Sequence, residues 1–134
     1  MPSNKPQARP RIRFHLLAAA FLLAGGCASD ASSGPIPKVA MDLSGLNAEG
    51  LRGPADGLRA AHYEFCIPSD GHFTREVSAI DPAARFMPGS RGRIGCSKEE
   101  VLVTGSTHQR DYRQVLDRLA ALPCVARIQE SFFE

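Results

Sequence analysis

Ala61-His62-Tyr63-Glu64-Phe65-Cys66-Ile67-Pro68 decides the fold class of this chain. Ala61, Tyr63, Phe65 and Ile67 alternate with His62, Glu64 and Cys66. A period of two sends the first set to one face of a strand and the second set to the other. Pro68 ends the run, because it has no N–H to give a ladder.

Downstream, Ser69 and Asp70 supply a cap, and Phe73, Val77 and Ile80 form one helical stripe that Asp81-Pro82 stops. Arg85-Phe86-Met87-Pro88-Gly89-Ser90-Arg91-Gly92 reads as loop or irregular edge strand. Arg93-Ile94-Gly95-Cys96 reads as a short strand and Ser97-Lys98 as a turn. Glu100-Val101-Leu102-Val103-Thr104 is the clearest strand, closed by Gly105. Ser106 and Gln109 have the spacing of a capping box. Tyr112, Val115, Leu116, Leu119 and Leu122 then share one helix face until Pro123, and Val125–Ile128 is a last strand. The expected core is Tyr63, Phe65, Ile67, Phe73, Val77, Ile80, Ile94, Val101, Val103, Val115, Leu116, Leu119, Leu122, Val125 and Ile128.

Strand, helix, strand, strand, helix, strand resembles, in element order alone, the ferredoxin-like α+β sandwich. That resemblance implies an antiparallel sheet in the order 4-1-3-2, with both helices on one face, over residues 60–134. Fold at this level implies little about function.

Upstream the composition changes. Residues 27–59 are rich in Gly, Ser and Pro, with sparse apolar residues, and read as a tether. Val39, Met41, Leu43 and Leu46 alternate weakly, which leaves a short strand or docked arm there as the alternative.

The first 26 residues carry Lys5, Arg9, Arg11 and Arg13, then the apolar run Leu16–Ala24, and no acid precedes Asp30. Nine apolar residues are too few to cross a bilayer core, which needs about 20 in a helix. A basic start, a short apolar middle and a small-residue exit is a secretory signal pattern. Leu23-Ala24-Gly25-Gly26-Cys27 resembles the lipobox of bacterial lipoproteins. The resemblance implies cleavage before Cys27, lipidation of its thiol with palmitate among the acyl chains, and a membrane anchor. Ala28, where an aspartate retains family members in the inner membrane, implies the outer membrane, facing the periplasm.

Four of the 16 Lys and Arg residues lie in that signal segment and none of the 14 acids does. The remaining 12 cations against 14 acids give the processed chain a net charge of −2. Such a balance argues against nucleic acid. Once Cys27 is taken by lipid, Cys66, Cys96 and Cys124 remain in an oxidising compartment, so one bridge at most forms within the chain. Cys66–Cys96 is the expected pair, although regular positions two strands apart lie roughly 9–10 Å from each other and a bridge needs Cα atoms within about 7 Å. It therefore requires Gly95-Cys96 to curl over the following strand. Cys66–Cys124 is the rival, and strand adjacency slightly favours it.

His62, His72 and His108 are scattered and no paired-ligand spacing occurs, so neither a metal nor a cofactor is expected. Ser106, His108 and Asp111 sit close in sequence, but a cap and a helix-dipole partner account for them better than catalysis. Arg85, Arg91, Arg93 and Lys98 form a basic cluster suited to an anionic partner. With no catalytic set found, the expectation is a non-enzymatic binding or interaction module with an envelope protein partner. The alternative is a thiol-active envelope enzyme using Cys66 or Cys96.

Overall fold

The computed structural model of the chain describes residues 37–132. The expected signal segment 1–26 and Cys27 lie outside the described residues. In chain order the elements are β1 (Val39–Ala40), β2 (Leu51–Arg52), β3 (Arg59–Ala60), β4 (His62–Pro68), α1 (Gly71–Ile80), β5 (Arg85–Pro88), β6 (Glu100–Ser106), α2 (Tyr112–Ala121) and β7 (Ile128–Ser131).

The alternation of β4 organises the sheet. Its register runs antiparallel to β6 from His62↔Ser106 to Pro68↔Glu100, and β7 pairs antiparallel on its other side. Tyr63, Phe65 and Ile67 are fully buried against Val77 of α1 and Leu116 and Leu119 of α2, so both helices cover this face. Each such side chain contributes about 1.5–3 kcal/mol on burial. Tyr63 lies opposite Gly105, where an added Cβ would fall 2.3 Å from the phenol ring. Gly105 therefore sits inside β6 and makes room for the ring; it does not close the strand as expected. The Tyr63 hydroxyl donates to Asp81 Oδ2 at 2.6 Å and accepts from Gln109 Nε2 at 3.2 Å. Burial, reinforced by the Asp81 hydrogen bond and charge, pushes that phenol far above its ordinary pKa.

α1 follows the sequence signals. Asp70 caps it by accepting from the His72 N–H at 2.8 Å, and Asp81 ends it by donating its N–H to the Val77 carbonyl. α2 does not start at the expected capping box. Ser106 completes β6, Gln109 turns its amide back to the Ser106 carbonyl at 2.8 Å, and the helix begins after Asp111, whose φ is 56°. Gln109 is drawn instead to the buried Tyr63 hydroxyl, a partner distant in sequence.

The sheet has five strands in the order β1-β7-β4-β6-β5, and β2 pairs with β3 in a separate two-stranded sheet. β1 runs parallel to β7, so the large sheet is mixed. The chain is thus α+β, but the expected order 4-1-3-2 is not the order of this five-stranded sheet. The stretch Arg93–Cys96, expected as a strand, is a loop; β5 takes that part from the stretch read as loop or edge strand.

Residues 37–59 are also more than a tether. Leu46 is buried in the core, and Val39, Met41 and Leu43 pack against it. Lys38 Nζ donates to the Leu122 carbonyl at 3.0 Å, and the Arg113 guanidinium donates to the Leu43 carbonyl at 3.0 Å. The buried Thr107 hydroxyl donates to the Gly50 carbonyl at 2.6 Å and accepts from the Ala61 N–H at 2.9 Å. The weak alternation at 39–46 was the signal for this docked arm, so the folded unit includes residues upstream of the expected boundary at 60.

A chain starting at Arg59 loses β1, β2 and Leu46. Removing a buried leucine alone costs about 2–5 kcal/mol, and at this size 1 kcal/mol shifts Tm by about 4–8 °C. Thermal unfolding is expected to show Tm at least about 10 °C below that of a chain starting at Pro37, or no cooperative transition. Equal Tm values would show that the arm contributes nothing.

Candidate functional site

His62, Glu64 and Cys66 point away from the helices, with Ser106, Thr104 and Leu102 beside them on β6. This face is only half open. The segment between β5 and β6 folds back over the Cys66 end and is held there in three ways.

First, Cys66 and Cys96 form a disulfide with Cα atoms 5.5 Å apart. The bridge reaches because Cys96 is not in a strand. The Cys96 N–H donates to the Arg91 carbonyl at 2.8 Å, and the Arg91 Nε donates to the Cys96 carbonyl at 3.2 Å, closing a tight turn. Gly92 and Gly95 have φ of 60° and 85°, which no regular strand contains. The rival Cys66–Cys124 bridge does not form. Cys124 is a free thiol packed at the core margin, and burial raises its pKa.

Second, Glu64 is 3% exposed and accepts from the Ile94 N–H at 2.7 Å and from Gln129 Nε2 at 2.9 Å through the same oxygen. Ile94, expected in the core, is instead half-buried on the opposite face of the sheet. Third, Gly92 lies so close to the sheet that an added Cβ would meet Leu102 at 2.6 Å and Glu64 Oε2 at 2.9 Å.

The four cations expected to cluster are divided. Arg91, Arg93 and Lys98 are exposed on the fixed loop. Arg85 is on β5 opposite Thr104, outside that loop. Glu64 and Thr104, on this face, are buried. Among the described residues, the part of that face left open is the end near His62. There, a cavity of about 590 Å³ is lined by Arg52, Arg59, His62, Glu130, Ser131 and Phe132 among others. A second, of about 460 Å³, is lined by His62, Arg85, Met87, Thr104 and Ser106. Arg52 forms a salt bridge with Glu130. Sequence reasoning missed Arg52, Arg59 and Glu130, because only the docked arm brings them together. Glu64 did carry a signal: an acid between Tyr63 and Phe65 in the strand, two residues before a cysteine.

Among the described residues, one group has metal-ligand spacing: Cys66, Cys96 and Glu100, with donor atoms within 4.8 Å of one another. Its two sulfurs are bonded together, whereas a cysteine ligand is a thiolate. The Ser106 hydroxyl accepts from the His108 backbone N–H at 3.2 Å, the geometry of a turn and not of a nucleophile paired with an imidazole. No family model, curated protein or solved structure matches the chain.

The bridge closes a sequence separation of 30 residues. Replacing both cysteines by serine is expected to lower stability in urea by about 3–4 kcal/mol. Glu100 places a carboxylate beside both sulfurs, where it opposes an attacking thiolate and the departing one. Glu100→Gln should therefore speed reduction by dithiothreitol about three- to tenfold at low salt. An unchanged rate would mean the carboxylate does not influence the bridge.

Proposed function

We propose that this chain is an envelope lipoprotein, acylated on Cys27 and held at the outer membrane facing the periplasm, whose folded part is a non-enzymatic binding module. Supporting the anchor are the basic start, the short apolar run and the Leu23–Cys27 motif. A disulfide suits that oxidising compartment. Nine residues separate Cys27 from Pro37, so Pro37 lies at most about 36 Å along the chain from the acylated cysteine. The strands β7-β4-β6-β5 are antiparallel throughout, and with α1 and α2 they support reading the domain as a ferredoxin-like core to which β1 is appended.

The observation that carries the binding reading is the fixed loop. Arg91, Arg93 and Lys98 are exposed on backbone already ordered by a disulfide, a buried carboxylate and close packing. Binding through such a loop forfeits little further entropy, which favours recognition through it. An acidic face of an envelope protein is the fitting partner. The thiol-active alternative has less support, because Cys66 and Cys96 are bonded and Cys96 is fully buried.

Cys27→Ser is expected to leave an unprocessed chain without palmitate label; label that persists would place the anchor elsewhere. Affinity capture of the lipidated chain from envelopes should recover a partner that Arg91→Gln/Arg93→Gln/Lys98→Gln loses. Recovery unaffected by the triple change would remove the loop from the binding surface.

A further inference from the structure

The open half of the sheet face has a form of its own. Cross-strand pairing sets Ser131, His62 and Ser106 in one row, and Thr104 with Arg85 in the next. The cavities on either side share His62, which stands between them. Side by side, the two cavities extend across the strands from the β2–β3 hairpin to β5 and can be taken as one groove. Its floor mixes the hydroxyls of Ser131, Ser106 and Thr104 with apolar surface, and its lining carries Arg52, Arg59, His62 and Arg85 against a single acid, Glu130. Glu130 is already spent on Arg52. No ion pair among the described residues involves Arg59 or Arg85. A processed chain of net negative charge thus keeps, at the two ends of one groove, two exposed cations without an ion-pair partner among the described residues.

We propose that this groove binds an extended acidic segment of an envelope protein, with one carboxylate at Arg59 and another at Arg85. This deepens the binding reading above and rests on it. Arg59 on β3 lines the same cavity as Ser131 of β7, and from β7 to β5 is three strand spacings, about 14 Å. An extended segment covers that distance in about four residues at roughly 3.3 Å each, so the two acids stand at positions i and i+4. Small polar residues between them suit the hydroxyls of the floor. The concave shape favours a narrow segment over a flat anionic surface such as a lipid leaflet. Binding through two rim-type charge pairs is modest and falls with salt.

The test uses the purified full chain and fluorescein-labelled peptides, read by anisotropy at low salt. Glu-Ser-Gly-Ser-Glu is expected to bind about tenfold tighter than Gln-Ser-Gly-Ser-Gln. Arg59→Gln/Arg85→Gln should abolish that preference, and Arg91→Gln/Lys98→Gln should leave it. All four changes are at exposed positions, and near-ultraviolet circular dichroism confirms that each variant is folded. Equal binding of the two peptides overturns the proposal, as does a preference that survives the Arg59/Arg85 change. Equal binding of a peptide with adjacent acids, Glu-Glu-Ser-Gly-Ser, overturns the spacing and with it the groove assignment. Vesicles of anionic phospholipid that bind wild type and lose binding in Arg59→Gln/Arg85→Gln would transfer the groove to a membrane. If the peptides fail while envelope capture still depends on the Arg91–Lys98 loop, the groove proposal falls and the binding reading stands.

Discussion

A carboxylate buried in the middle of a sheet must find donors, because an unpaired buried charge costs several kcal/mol. Glu64 sits in β4 at that position, between β6 and β7. Its β7 neighbour Gln129 supplies one donor, and the other is the backbone N–H of Ile94, borrowed from the loop after β5. That demand brings the loop over the sheet. Gly92 lets it approach, and the Cys66–Cys96 bridge keeps it there. The consequences extend outward: half of the face is covered, three cations are displayed on ordered backbone, and the remaining half is left as a groove at the His62 end.

On the opposite face a second polar group is satisfied inside the core. The Tyr63 hydroxyl joins Asp81 at the end of α1 to Gln109 just before α2. The same strand therefore fixes both helices on one side and the loop on the other. Gly105 and Gly92 permit close approaches on the two faces, to the Tyr63 ring and to Leu102. The docked arm adds a third layer of constraint through Thr107, which ties Gly50 to Ala61 at the start of β4. Arg52 and Arg59 enter the groove only because that arm is docked.

What local pattern determines was readable before the structure. The alternation in β4, the Asp70 cap and Asp81 stop of α1, and the Cys66–Cys96 pair all depend on neighbours in sequence or on one glycine-permitted curl. The failures each involve a partner far along the chain. Gln109 and Ser106 have capping-box spacing, yet Tyr63 takes up Gln109. Arg93–Cys96 has strand-like composition, yet the left-handed Gly92 and Gly95 and the pull of Glu64 make it a loop. Residues 37–59 have tether composition, yet Leu46 and Val39 are apolar enough to dock once β7 and α2 are in place. Of the basic cluster, sequence proximity grouped Arg85 with Arg91, Arg93 and Lys98, and strand register separates it.

Amide hydrogen exchange at Ile94, followed in the disulfide-bonded protein and in its Glu64→Gln variant, tests the central claim most directly. The substitution keeps the shape of the side chain but removes its charge, which weakens the charge-assisted bond. The account predicts strong protection of Ile94 in the wild type and a loss of about tenfold or more in the variant. Protection at Ile94 no greater than at exposed loop amides, or protection unchanged by the substitution, would contradict the claim that Glu64 holds the loop on the sheet.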